Sequence, residues 1–153
     1  ADSHDEEATT PPLDELRLVD LLPFGVLPAG AAVMVGHLVV PGLTDGVPAS
    51  LSAAAVTGIL RDELGFDGVV LTDDLAMGAV AQMIDVPTAA RLALIAGADL
   101  LMVGPHENVV PAAWSLMAAL DDGSLDERWL DEAVERVLAM RAVDPCTLVA
   151  PEG

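Results

Sequence analysis

Gly68-Val69-Val70-Leu71-Thr72-Asp73-Asp74 indicates the fold class more clearly than any other part of the sequence. It is a short run of apolar and β-branched residues that starts at a glycine and ends at two aspartates, which is typical of a strand buried on both faces. Two other stretches have the same character, Ala31 to Val40 (AAVMVGHLVV) and Ala98 to Gly104 (ADLLMVG). Three such strands predict a parallel sheet within an α/β protein.

Helical patterns alternate with these strands. The predicted helices span Ser52 to Leu64, Pro87 to Ala96 and Asn108 to Leu120, and a fourth begins at a capping box formed by Ser124 and Glu127. Strands alternating with helices indicate parallel pairing with crossover connections. The pattern alone leaves two architectures open: a small doubly wound sheet, or part of a (β/α)8 barrel.

Both ends of the chain are predicted to be irregular. Residues 1–10 are polar and acidic, and prolines punctuate the connector that follows, so residues 1–30 are predicted to be mostly loop, with a short helix possible from Leu13 to Leu22. Residues 144–153 are predicted to form a flexible tail. The regular β/α units are therefore expected within residues 31–143.

Composition excludes several classes of protein. The chain has 153 residues, 53% of them hydrophobic, and 25 acidic residues against 6 basic ones give a formal net charge of -19. The length suits one domain, and the charge repels phosphate backbones, so nucleic acid is not an expected partner. No apolar run reaches the ~20 residues of a membrane span. A single cysteine, Cys146, excludes an intrachain disulfide and a cysteine-based metal site.

The two aspartates that end the central strand are the first candidates for chemistry. Ligands bind at the carboxyl ends of parallel strands, and an ionised aspartate there can act as a nucleophile, a general base or a metal ligand. Because side chains alternate along an extended chain, Asp73 and Asp74 are expected to point to opposite sides, with one of them in the pocket. The alternative is that they form a helix N-cap.

The three histidines are the other candidates. Asp2-Ser3-His4 would place a carboxylate beside an imidazole, as a general acid/base requires, although a solvated terminus explains the same residues. His37, within an apolar strand, is either a pocket residue or a hydrogen-bonded core histidine. His106, in the loop after the third strand, is expected to be exposed to solvent.

The central segment resembles the nucleophile region of glycoside hydrolase family 3. The match runs from Ile59 through Leu64-Gly65-Phe66-Asp67-Gly68-Val69-Val70-Leu71-Thr72-Asp73-Asp74 to Met77. Residues 46–52 (GVPASLS), 96–102 (AGADLLM) and 130–138 (LDEAVERVL) are similar to other parts of that family. Asp2-Ser3-His4 matches the D-S-H loop of its bacterial β-N-acetylglucosaminidase branch.

The resemblance implies a fold and a set of roles. Residues 1–143 would form the C-terminal half of a (β/α)8 catalytic barrel, which is incomplete without five preceding strands and a sugar-holding segment. Asp73 would be the nucleophile, and Asp2 and His4 would form the acid/base dyad. Residues His37, Ser50 and Asp74 are predicted to contact the substrate. No metal or organic cofactor is implied.

The implied activity is retaining hydrolysis of terminal β-linked N-acetylglucosamine from glycosides such as peptidoglycan fragments. The 153 residues alone are expected to be inactive or barely active, because unpaired strand edges leave the site unsupported. Two alternatives are a Mg²⁺-dependent phosphoryl-transfer or receiver-like domain that uses Asp73 and Asp74, and a non-catalytic acidic interaction module. The compartment, bacterial cytoplasm or cell envelope, stays open.

Overall fold

The computed structural model describes residue 5 and residues 7–143. The predictions for Asp2 and His4, and for the tail 144–153, lie outside the described residues. The elements, in chain order, are β1 Ala8–Thr9, α1 Leu13–Leu18, a 3-10 turn Leu22–Val26, β2 Ala32–Val35, β3 Leu38–Val39, a 3-10 turn Ala49–Leu51, a π-helix Ala54–Glu63, β4 Val69–Thr72, α2 Gly78–Ala81, α3 Val86–Ala96, a 3-10 turn His106–Asn108, α4 Val109–Asp121 and α5 Glu127–Met140.

All strand pairs are parallel, as predicted. Strand β2 pairs with β4 so that Val35 lies opposite Thr72. Strand β1, which the sequence did not reveal, pairs with β3. The single strand predicted from Ala31 to Val40 is therefore two strands with different neighbours, and the break between them falls at Gly36-His37.

The third predicted strand, Ala98 to Gly104, runs extended beside β4 but forms only one regular bridge, between Leu71 and Leu100. Side chains replace backbone partners on either side of that bridge. The amide of Val70 donates to the Asp99 carboxylate at 2.7 Å. The amide of Met102 donates to the Thr72 hydroxyl at 3.1 Å. These substitutions interrupt the regular ladder while keeping the segment against the sheet.

Two helix predictions need correction. The helix expected from Ser52 to Leu64 forms at Ala54–Glu63 with π-type hydrogen bonds, and Gly65 follows it with φ +70°. The capping box at Ser124 is wrong, because the N-cap of α5 is Asp126, whose carboxylate accepts from the Arg128 amide. Leu125 is buried and its amide bonds the Ala119 carbonyl, so this turn must close before the helix can start.

The core lies between the sheet and α3. Val70 on β4 and Ala89, Ala90 and Ala93 on α3 are fully buried. The small alanine side chains allow α3 to pack closely against its neighbours, and α4 packs against α3. Among the described residues, no helix is both long and apolar enough to cross a bilayer.

The opposite face of the sheet is apolar and uncovered. Met34 lies opposite Leu71, which bridges to Leu100, so the three side chains stand in one row across the sheet. Met34 is 53% exposed, Leu100 is 40% exposed, and Met102 farther along is 43% exposed. A row of large apolar side chains at this exposure is a surface that another apolar layer would cover.

Charged residues join the amino-terminal end of β4 to two helices. The Asp99 side chain is 1% exposed and contacts Arg61 at 2.8 Å and Arg136 of α5 at 3.0 Å. Arg61 also donates to the Gly68 carbonyl at 3.2 Å. The ion pairs thus hold the π-helix and α5 against one end of the sheet, and Asp73 and Asp74 lie at the other end.

Candidate active site

Asp73 lies at the carboxyl end of the sheet, one residue beyond β4. Its amide donates to the Val35 carbonyl at 3.1 Å, which extends the β2–β4 pairing to the aspartate itself. The backbone at Asp73 is therefore fixed by the sheet, while its side chain is only half-buried. This is the position at which ligands bind in parallel α/β folds.

One oxygen of the Asp73 carboxylate is oriented by the following residue. The amide of Asp74 donates to Oδ1 of Asp73 at 2.8 Å. No donor among the described residues lies within hydrogen-bond distance of the other oxygen, Oδ2. This bond favours one orientation of the carboxylate.

The Asp74 side chain points away from that of Asp73 and bonds the backbone. Its Oδ1 accepts from the Ala76 amide at 3.0 Å and from the Gly104 amide at 2.9 Å. These bonds join the turn after β4 to the end of the neighbouring extended segment. The two carboxylates therefore have different partners, as strand alternation predicted, and which of them meets a ligand stays a prediction.

His37 and Ser50 are buried beneath this turn. Both are 0% exposed, and Nδ1 of His37 lies 2.7 Å from the Ser50 hydroxyl. Nε2 of His37 lies 2.9 Å from the carbonyl oxygen of Asp74. Of the two interpretations that the sequence left open for His37, the structure gives the hydrogen-bonded buried histidine. Contact of His37, Ser50 and Asp74 with a substrate stays a prediction.

The described part of the chain nearest to the predicted dyad lies beside the site. The side-chain amide of Gln82, at the end of α2, donates to the Asp5 carbonyl at 2.6 Å. Helix α2 follows the turn that contains Asp73 and Asp74. Asp5, the residue next to His4, therefore contacts the far end of the four-residue helix that begins after that turn.

Two residues of the site, Thr72 and Gly104, were not predicted as site residues from the sequence. Thr72 is fully buried, and its hydroxyl accepts from the Met102 amide. Gly104 donates to Asp74, and a Cβ atom at this glycine would lie 2.7 Å from Oδ2 of Asp74. Gly104 was predicted only as the end of the third strand, and periodicity does not indicate this contact. His106, in contrast, is exposed as expected, with 98% of its side chain accessible.

Comparison with known proteins places this arrangement in a family. A profile of the "Glycosyl hydrolase family 3 N terminal domain" matches residues 1–140. "Beta-hexosaminidase LpqI" from Mycobacterium tuberculosis is 43% identical over 152 residues, which cover 94% of this chain and 39% of that protein. A "Beta-hexosaminidase" from Stenotrophomonas maltophilia is 41% identical over 105 residues, covering 67% of this chain and 31% of the relative.

Solved structures agree with the sequence matches. The structure described as "M tuberculosis LpqI" superposes with a TM-score of 0.87 at 42% identity, covering 95% of this chain and 45% of that one. A family 3 β-N-acetylglucosaminidase from Paenibacillus sp. superposes with a TM-score of 0.86 at 37% identity, covering 100% of this chain and 31% of the other. The chain thus spans less than half the length of these relatives. The predicted fold class, an α/β part of a TIM-type barrel, is confirmed. The chain belongs to glycosyl hydrolase family 3.

Proposed function

We propose that the protein containing this chain hydrolyses terminal β-linked N-acetylglucosamine with retention of configuration, and that Asp73 is its nucleophile. The observation that carries the proposal is the placement of Asp73 at the carboxyl end of β4, with its carboxylate oriented by the Asp74 amide. The relatives are a β-hexosaminidase and a β-N-acetylglucosaminidase by name, which supports the choice of sugar. Peptidoglycan fragments are the substrates that we propose.

The first step of the proposed reaction forms a covalent intermediate. An oxygen of Asp73 attacks the anomeric carbon as the glycosidic C–O bond breaks, which gives a glycosyl-enzyme and the free aglycone. Water then attacks the same carbon from the opposite face and releases both the sugar and the carboxylate. Two inversions give net retention. The backbone at Asp73 is anchored to Val35, so the attacking group is fixed by the sheet instead of by a mobile loop.

We assign the proton transfers to His4, oriented by Asp2. In the first step His4 would protonate the leaving oxygen, and in the second it would take a proton from the attacking water. The contact between Gln82 and the Asp5 carbonyl supports this assignment, because it holds the neighbouring residue beside the helix that follows the Asp73 turn. An imidazole also avoids a second negative charge close to Asp73.

We further propose that the 153 residues by themselves turn over substrate poorly. The row formed by Met34, Leu71 and Leu100 lacks a covering layer among the described residues, and Met34 and Leu100 are 53% and 40% exposed. In the longer relatives, the additional residues are available to cover it. Without that layer, small displacements of the strand ends would misplace Asp73, and errors near 1 Å cost about 100-fold in rate.

The Mg²⁺-dependent alternative is supported less well. It requires Asp73 and Asp74 to face one ion, whereas Asp74 is directed at the amides of Ala76 and Gly104. Within residue 5 and residues 7–143 there is no group of three or more potential metal ligands. The non-catalytic alternative gives no reason for the orientation of the Asp73 carboxylate.

A hybrid enzyme tests the proposal. The mycobacterial β-hexosaminidase would be made with its matching residues replaced by this chain, and assayed with an aryl N-acetylglucosaminide. Asp73→Asn is expected to reduce kcat by at least about 1000-fold, because the intermediate cannot form. His4→Ala should slow both steps, and a substrate with a good leaving group should restore mainly the first. Turnover by Asp73→Asn near the wild-type rate would refute the assignment.

A further inference from the structure

A chain of buried hydrogen bonds ends on the residue beside the proposed nucleophile. It runs from the Ser50 hydroxyl to Nδ1 of His37 at 2.7 Å, and from Nε2 of His37 to the Asp74 carbonyl at 2.9 Å. His37 and Ser50 are both 0% exposed. Each ring nitrogen of this buried imidazole therefore has a protein partner, and the two bonds together link Ser50 to the turn that follows β4.

The chemistry of the two partners fixes the direction of these bonds. A carbonyl oxygen only accepts, so Nε2 of His37 must carry the proton that it donates to Asp74. In the neutral ring, Nδ1 is then an acceptor, and the Ser50 hydroxyl donates to it. The Asp74 carbonyl therefore sets the tautomer of the neutral ring, and the bond from Ser50 helps to fix the ring orientation that directs Nε2 at this carbonyl.

Both backbone groups of Asp74 contribute to the placement of the nucleophile. Its amide donates to Oδ1 of Asp73 at 2.8 Å, and its carbonyl is held by His37. A rotation of residue 74 would move the amide that orients the Asp73 carboxylate. Residue 74 is also held by neighbouring bonds, because its carbonyl accepts from the Met77 amide at 2.9 Å and the Leu75 amide donates to the Met102 carbonyl at 3.0 Å. His37 adds to these bonds.

We infer that His37, held by Ser50, is a positioning residue for the nucleophile: it fixes residue 74 so that the Asp74 amide orients the Asp73 carboxylate. The inference rests on the proposed role of Asp73 and replaces a sugar contact for His37 and Ser50 by an indirect role. Because both side chains are fully buried, they act through the backbone. Loss of the bond should therefore affect the chemical step more than substrate binding.

Two substitutions of His37 separate its two bonds. A glutamine amide extends about as far as Nε2 and can donate to the Asp74 carbonyl, whereas an asparagine amide reaches only the position of Nδ1. In the hybrid enzyme, His37→Asn is expected to lower kcat by about 30-fold or more, with KM changed by less than about twofold. His37→Gln should recover about tenfold of that loss.

Ser50→Ala and Thr44→Val form a matched pair that distinguishes positioning from general stability. Each removes one buried hydroxyl, but that of Thr44 bonds the Val40 amide, away from Asp73. Thermal unfolding is measured for every variant. Ser50→Ala should lower kcat by about fivefold or more, whereas Thr44→Val should leave kcat within about twofold even where it lowers the melting temperature.

The outcomes divide clearly. Equal kcat for His37→Asn and His37→Gln, a rise in KM with kcat unchanged, or an equal loss in Thr44→Val and Ser50→Ala would overturn the positioning role. If His37→Asn does not fold, the Ser50→Ala comparison decides alone. The rate at which a 2-fluoro sugar labels the enzyme separates this inference from the proposed function. Label on Asp73 at an undiminished rate in Ser50→Ala contradicts only the positioning role, and label on another side chain contradicts both.

Discussion

Oδ1 of Asp74 lies 2.9 Å from the amide of Gly104, and this hydrogen bond joins the turn after β4 to the end of the neighbouring extended segment. The same oxygen accepts from the Ala76 amide at 3.0 Å. A carboxylate that accepts two backbone amides cannot move without leaving donors unpaired. The turn that carries Asp73 is therefore braced by the Asp74 side chain as well as by the bond between His37 and the Asp74 carbonyl.

Gly104→Ala tests this contact. The added Cβ would lie 2.7 Å from Oδ2 of Asp74, and the carboxylate cannot swing aside without losing its two amides. We expect a stability loss of about 1–3 kcal/mol, the range for overpacking, together with a fall in kcat of the hybrid enzyme. Gly58→Ala is the control, because its Cβ meets only the Ala53 carbonyl at 3.8 Å. Equal behaviour of the two variants in urea unfolding would contradict the bracing role.

Asp99→Asn tests the ion pairs at the other end of the sheet. Asparagine keeps an acceptor for the Val70 amide but removes the charge that faces Arg61 and Arg136. The Asp99 side chain is 1% exposed, and its loss of charge leaves Arg61 without this counter-ion and Arg136 with only the more exposed Glu132. We therefore expect unfolding to become easier by about 3 kcal/mol.

The control for Asp99→Asn is Glu132→Gln. Glu132 also pairs with Arg136, at 3.0 Å, but its side chain is 47% exposed. Exposed pairs contribute about 0–1 kcal/mol, so the change should be small. Urea midpoints that shift equally for the two variants would show that burial does not govern this network.

The stabilisation that Asp85 provides at the start of α3 is expected to depend on pH. The Thr88 amide donates to Asp85 at 2.7 Å, and hydrogen bonding to Thr88 lowers the pKa of this exposed carboxyl below its usual 3.8. A lowered folded-state pKa means that the stabilisation is present above about pH 4 and is lost as pH falls through the folded-state pKa. The charged cap also faces the positive end of the helix.

Asp85→Asn separates capping from charge. Asparagine caps helices about as well as aspartate but does not titrate in this range. The stability advantage of the wild type over Asp85→Asn, measured by urea unfolding, should therefore shrink as pH is lowered from about 6 to about 3. An advantage that stays constant or grows toward low pH has the wrong sign for this explanation.

Buried apolar runs and helical patterns were sufficient to predict the parallel sheet and the helices after it. The run Gly68 to Thr72 became β4, and Gly97 ends α3 with φ 108°. The departures have local causes. Asp99 and Thr72 offer side-chain partners to the backbone, and so the segment after α3 is extended but not a regular strand. Such competition depends on three-dimensional proximity, which periodicity does not contain.

The candidate residues of the site could be predicted from the sequence, but not all of their hydrogen-bond partners. The position of Asp73 and Asp74 after a buried strand was sufficient to make the pair candidates, and alternation was sufficient to predict that they point to different sides. The choice of Asp73 as the nucleophile comes from the family resemblance and stays a prediction. The partners of His37 were not predictable, because Ser50 and the Asp74 carbonyl are 13 and 37 residues away in sequence. Only the fold brings them together. The roles of Asp2 and His4 come from the family resemblance and stay predictions.

The assignment of Asp73 as the nucleophile is tested by mass spectrometry of the hybrid enzyme after trapping with a 2-fluoro N-acetylglucosamine analogue. We expect one stable adduct per chain, located by peptide mapping on Asp73 and absent from the Asp73→Asn variant. An adduct on Asp74 or on any other side chain, formed at a rate that accounts for inactivation, would contradict it.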